Sequence, residues 1–110
     1  MTYVFDIDGT ICIKQCEMQG NDYSEAEPIA KRIEKVNTLY DQGNQIIYMT
    51  ARGMGRHKNN AQAAIQDFYA FTAQQLKDCG CKYHYLFLGK PAADFYIDDK
   101  GISDEDFFAN

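Results

Sequence analysis

The chain opens on an apolar triplet, Tyr3-Val4-Phe5, that runs directly into Asp6. Short, non-alternating runs of the same kind recur at Gln45-Ile46-Ile47-Tyr48-Met49, from Tyr83 to Leu88, and at Asp94-Phe95-Tyr96-Ile97. Their length and their aromatic and β-branched content predict strands. Between them the period lengthens. Ile29, Ile33, Val36 and Tyr40 fall on one face of a helix that Gly43 stops. Ser24-Glu25-Ala26-Glu27 has the S-x-x-E form of a capping box ahead of it, with Pro28 in the first turn. Ala61, Ala64, Ile65, Phe68, Phe71, Thr72 and Leu76 predict a second helix ending near Gly80, its apolar stripe turned to the core. Ser103-Asp104-Glu105-Asp106 caps a last helical turn carrying Phe107 and Phe108, which pack on the core or on a neighbouring subunit. Residues 11–23 contain the turn signal Gly20-Asn21 and read as a flap-like excursion, and residues 51–60 as a polar loop.

Strand, helix, strand, helix, strand, strand is the order of a layered α/β domain with a mainly parallel sheet. Non-alternating strands fit a sheet covered on both faces, a Rossmann-like three-layer sandwich. In such sheets ligands bind beyond the carboxyl ends of the strands.

Composition narrows this little. The 110 residues suffice for a single domain, 1–110, with no room for a second. Hydrophobic residues make up 45% and charged residues 25%, which is ordinary for a globular domain. No apolar run approaches the ~18–20 residues that span a bilayer, so no membrane is expected as a partner. Asp6 interrupts the N-terminus before a signal-peptide core can form, so the expected compartment is the cytoplasm. Eleven Lys and Arg against sixteen Asp and Glu leave a net charge of −5. No nucleic acid is therefore expected as a partner, while a small anion remains admissible where a cation receives it. Cys12, Cys16, Cys79 and Cys81 fit zinc spacing only loosely and are read as reduced thiols, some of them buried.

The chemistry gathers at the strand ends. The first strand ends in Asp6-Ile7-Asp8-Gly9-Thr10, the second in Thr50 followed by Ala51-Arg52, and the fourth in Asp98-Asp99; Lys90 stands in Gly89-Lys90-Pro91 just before the fourth. On one rim these would collect four carboxylates, a hydroxyl and an ammonium. Two like charges ~4 Å apart repel by ~4 kcal/mol at an effective dielectric near 20, so the carboxylates need compensation. Lys90 supplies one charge. Hard oxygen donors select Mg²⁺ or Ca²⁺ for the rest, and Mg²⁺ suits a site with few carboxylates and a substrate phosphate. A carboxylate can attack phosphorus while a second carboxyl moves protons. Gly9 lets the backbone approach a phosphate.

Asp6-Ile7-Asp8-Gly9-Thr10 resembles the first signature of the haloacid-dehalogenase-like phosphohydrolase superfamily. Thr50 resembles its second, Lys90 its third and Asp98-Asp99 its fourth, in matching order from residue 3 to about residue 100. The resemblance implies a phosphatase that forms an aspartyl phosphate and uses Mg²⁺. Asp6 would be the nucleophile and a metal ligand, and Asp8 the general acid and base, its carbonyl on the metal. Thr50 would hydrogen-bond the phosphoryl group, Lys90 would balance charge, and Asp98 and Asp99 would hold the metal. Gly9, Thr10, Ala51 and Arg52 would line the substrate. A chain of this length is expected to have no cap domain, leaving residues 11–23 as its own cover. Asn21-Asp22-Tyr23-Ser24, Thr50-Ala51-Arg52, Gly89-Lys90-Pro91 and Tyr96-Ile97-Asp98-Asp99-Lys100 are further similar to small capless phosphatases of capsule and surface-polysaccharide biosynthesis. That implies a small sugar-phosphate substrate.

Other readings stay open. Arg56, His57 and Lys58 either bind a distal anionic or sugar part of the substrate or form a solvated loop. His84 reads as a packed histidine. A phosphatase of phosphoproteins or nucleic-acid ends would keep the site and change the substrate. A phospho-accepting signalling module would need an aspartate ending a later strand before Thr50, and Asp41 falls near a helix end instead. An open site also gives a second copy a role as a lid.

Overall fold

The computed structural model describes residues 1–13, 23 and 26–109. Chain order is β1 (Thr2–Phe5), β2 (Cys12–Ile13), β3 (Glu27–Pro28), α1 (Ala30–Asp41), β4 (Gln45–Thr50), α2 (Ala61–Asp78), β5 (Tyr85–Leu88) and α3 (Asp104–Phe107). β1, β4 and β5 form a parallel three-stranded sheet in that order, and β2 pairs with β3 antiparallel. The protein is thus an α/β fold. Among the described residues no helix is long and apolar enough to cross a membrane.

One face of the sheet carries the core. Phe5, Ile46, Tyr48, Leu86 and Leu88 are buried together with Ile33 and Val36 of α1 and Phe68 and Leu76 of α2. Alternate strand positions face the other way, and there Val4, Tyr85 and Phe87 are exposed. The expectation of a sheet covered on both faces is corrected to this extent: the described residues build two layers. Two successive right-handed β-α-β crossovers moving one way along a sheet put both helices on the same face.

Local chemistry explains where elements begin. α2 starts as expected, and Asn60 caps it by accepting from the Ala63 N–H at 3.1 Å. Its buried stripe is narrower than its sequence: Ala64, Phe68, Thr72 and Leu76 are buried, whereas Ile65 and Phe71 are exposed. α1 departs from expectation. Glu27 and Pro28 belong to β3, Ile29 takes the cap position with no side-chain cap, and Ser24 lies outside the described residues. The Ile29 N–H donates to Ile11 O at 2.7 Å, so pairing with the loop after β1 outcompetes a capping box. The Gly20-Asn21 turn and most of the flap-like excursion likewise fall outside the described residues.

The largest correction concerns 94–97. This segment is no strand; its side chains stand off the sheet, with Phe95 82% and Ile97 95% exposed. A strand needs a ladder partner, and the chain gives it none among the described residues. The chain then returns. Ser103 caps α3 by accepting from the Asp106 N–H, and Phe107 and Phe108 close on β1, with Phe107 centred 5.9 Å from Tyr3 and 5.4 Å from Phe5. Arg32 of α1 pairs with Asp104 at 2.7 Å, and the Lys35 ammonium lies 4.7 Å from the Phe107 ring. Of the two placements open for these phenylalanines, the core is the one adopted.

His84 precedes β5, stacks on Tyr40 at 4.6 Å and accepts the Ile46 N–H at Nδ1, so it is packed as expected. Cys12, Cys79 and Cys81 are free thiols. Burial pushes Cys12 up to about 11 and Cys81 to about 12, so both are protonated at neutral pH. Cys16 lies outside the described residues.

Candidate active site

β1 delivers Asp6 to the carboxyl edge of the sheet, and the chain there turns sharply. The N–H groups of Thr10, Ile11 and Cys12 all point at Ile7 O, and Gly9, at φ +84°, donates to Cys12 O at 2.8 Å. This knot buries Ile7 and Ile11 completely and turns Asp6 and Asp8 to the same rim. Arg32 of α1 holds the loop from outside by donating to Thr10 O at 3.0 Å.

The two aspartates have different surroundings. Asp8 receives Arg52 in a two-pronged pair, Nε to Oδ2 and Nη2 to Oδ1, both at 2.9 Å. The Arg52 side chain is wholly buried; its third arm donates to Thr72 Oγ1 at 3.3 Å, and its plane lies 4.7 Å from the Tyr23 ring. Tyr23 OH in turn accepts the Gly53 N–H. The expectation that Arg52 binds substrate is therefore corrected. A buried guanidinium must be paired, and this one is committed to Asp8 and Thr72. It fixes the direction of the Asp8 carboxylate. A basic residue two positions after Thr50 is visible in the sequence, but its choice of Asp8 over solvent depends on how the loop and α2 pack.

Asp6 has a looser partner. Lys90 Nζ stands 3.8 Å from its Oδ1, and both side chains reach solvent. Burial raises the Asp6 carboxyl above its ordinary range; Lys90 and the Ile7 N–H oppose that shift, and Asp8 adds to it. Lys90 is held from two sides: its backbone N–H donates to Thr50 O at 3.2 Å, and its ammonium lies 4.3 Å from the Tyr96 ring. Thr50, at the end of β4, is buried, and its hydroxyl accepts the Arg52 N–H at 3.1 Å, which leaves its own proton free to be donated. Gly9, Thr10 and Ala51 border these groups without full burial.

Asp98 and Asp99 do not join them. Asp98 Oδ1 accepts the N–H groups of Lys100 and Gly101 in its own loop, and Asp99 pairs with Lys100 at 3.0 Å with both side chains exposed. The expected four-carboxylate rim is thus corrected to two carboxylates, because the strand that would have carried the other two is not formed. Among the described residues no three Asp, Glu, His or Cys side chains are placed to hold one metal ion. Among those residues Asp6 and Asp8 are left as the carboxylates that would face Mg²⁺. The Arg56–Lys58 loop is also partly engaged: Arg56 and His57 both reach Asp67 of α2 at 3.0 Å.

No family model matches the chain, and no curated protein matches it. The fold is similar to that of a crystal structure from Vibrio cholerae described as an MCSG target. The TM-score is 0.84 and the identity 24%, over 99% of this chain and 88% of the other. At that identity the likeness speaks for the fold.

Proposed function

We propose that the protein is a phosphomonoester hydrolase of haloacid-dehalogenase type, built on a Rossmann-like core and acting on a small phosphate ester such as a sugar phosphate of surface-polysaccharide synthesis. The observation that carries this reading is the meeting of Asp6, Asp8, Thr50 and Lys90 at the carboxyl ends of β1 and β4, with Lys90 3.8 Å from Asp6. Asp6 is the only one of the two aspartates without a close, two-pronged partner, which suits a nucleophile.

In this reading an Asp6 oxygen bonds to phosphorus as the ester P–O bond breaks, and the leaving oxygen takes a proton from the Asp8 carboxyl. Asp8 then removes a proton from water, whose oxygen attacks phosphorus. The bond to Asp6 breaks, freeing inorganic phosphate and restoring the enzyme. Thr50 donates to a phosphoryl oxygen, and Lys90 offsets the charge shared by Asp6 and the phosphate. Mg²⁺ would supply further charge neutralisation in this chemistry; Asp6 and Asp8 would hold it, and among the described residues of one chain no third His, Cys, Asp or Glu joins them.

A phosphate-release screen over small monoesters, with and without Mg²⁺, tests the proposal. Turnover that falls ~10³-fold or more in Asp6→Asn supports it. Undiminished turnover in that variant, or release from no ester, defeats it.

A further inference from the structure

Among the described residues the sheet ends at β1 with an open edge, and the segment that would extend it lies off the sheet, with Phe95 and Ile97 in solvent and Tyr96 against Lys90. Among the described residues β1 pairs only with β4, and Val4 is 59% exposed. Residues 94–97 carry Phe95 and Ile97 into water and then reach Asp98, just as Tyr3 and Phe5 precede Asp6.

Within one chain the 94–97 segment cannot reach this edge in the parallel sense. A parallel strand must be entered from the amino end of the sheet. Lys90 is fixed at the carboxyl end, by Thr50 O and by Asp6. Only residues 91–93 lie between Lys90 and the segment, whereas a parallel crossover takes a dozen or more residues. Fully extended, three residues cover ~10 Å, the length of β1 alone, with nothing left for the turn back.

We infer that two copies exchange residues 94–99, each laying this segment along the open edge of the other's β1 and completing the other's site with Asp98 and Asp99. The inference rests on the phosphatase reading for the role of those carboxylates; the exchange itself rests on the edge, the segment and the short connection. With Asp98 of the partner subunit level with Asp6, Ile97 of the partner subunit lies beside Phe5 and Phe95 of the partner subunit beside Tyr3. Both then sit on the helix-covered face of the sheet. The two most exposed apolar side chains of the segment become buried, and an edge that invites uncontrolled pairing is closed. The contact is reciprocal, as a two-fold assembly requires. Asp98 of the partner subunit reaches the rim where, among the described residues of one chain, Asp6 and Asp8 stand without a third carboxylate.

Two measurements decide this. Light scattering is expected to give twice the 12.6 kDa of one chain. Under mild oxidation the double variant Val4→Cys/Tyr96→Cys, at positions level across the new pairing, is expected to give a covalent dimer that neither single variant gives. A wild-type mass of one chain, or bonding only within a chain, overturns the exchange. In the activity arm, Asp6→Asn and Asp98→Asn chains are unfolded and refolded together. Half of random pairs are mixed and each mixed pair has one intact site, so about a quarter of wild-type turnover returns. Recovery of none, with wild type active, overturns delivery of Asp98 in trans. If wild type releases no phosphate from any ester, the phosphatase reading falls while mass and cross-linking still decide the exchange.

Discussion

Asp6 and Asp8 stand two residues apart and each faces a cation, yet the two pairs are built differently. Asp8–Arg52 is sealed, two-pronged and backed by Thr72 and the Tyr23 ring. Asp6–Lys90 is longer, one-pronged and open to solvent. The sealed pair gives direction to a side chain, whereas the open pair leaves a carboxylate whose charge is poorly satisfied. Such partial satisfaction is what a nucleophile needs and what a structural ion pair avoids.

The sharpest way to break the contrast is Arg52→Ala. It strands Asp8 at a site that lost its counter-charge, and about 3–5 kcal/mol of stability is expected to go. Urea unfolding measures this, and the melting temperature should fall by more than about 10 °C. A double variant, Asp8→Ala with Arg52→Met, should recover much of the loss, because neither charge is then stranded.

Asp6→Asn should move stability the other way. The folded carboxyl is raised, so the folded state favours the protonated form, and that contribution is lost as pH rises through the folded value. In EDTA the variant should exceed wild type near neutral pH, by ~0.5–2 kcal/mol at most given that the carboxyl is partly solvated. The advantage should fade as pH falls toward 3.8, the ordinary value. Thermal melts from pH 4 to 8 read both features, and a variant less stable than wild type at neutral pH would dissolve the contrast.

Lys90→Met should cost under ~1 kcal/mol in the same melts, since its pair is long and wet, while turnover suffers far more. Asp67→Asn, at a surface pair, should do least. Hydrogen bonding from His57, then from Arg56, lowers that carboxyl, so its small contribution is present above 3.8 and lost as pH falls.

How much of this the sequence disclosed depends on what each residue answers to. Local signals gave the helix from Ala61 and the Ser103 cap of α3 well, because a helical turn and its cap are decided within a few residues. The placing of Asp6 and Thr50 on one rim was legible because a strand end is a topological fact that follows from counting parallel strands; Lys90 joins them from the end of β5 rather than from ahead of a fourth strand. Arg52 was misread because its partner is chosen by packing of the loop on α2. Residues 94–97 were misread because β-propensity reports a wish to be paired and says nothing about whether three connecting residues permit it. The same gap hid the open face of the sheet: a non-alternating strand looks doubly covered whether or not a second layer exists.

The aromatic clasp of Phe107 and Phe108 on Tyr3 and Phe5 also bears on how the molecule comes into being. The ribosome makes β1 long before its cover. Until residues 104–108 emerge, Tyr3 and Phe5 lack that cover, and a contact of this sequence separation forms late and slowly. A nascent chain stalled short of this turn should therefore be the form most dependent on chaperones.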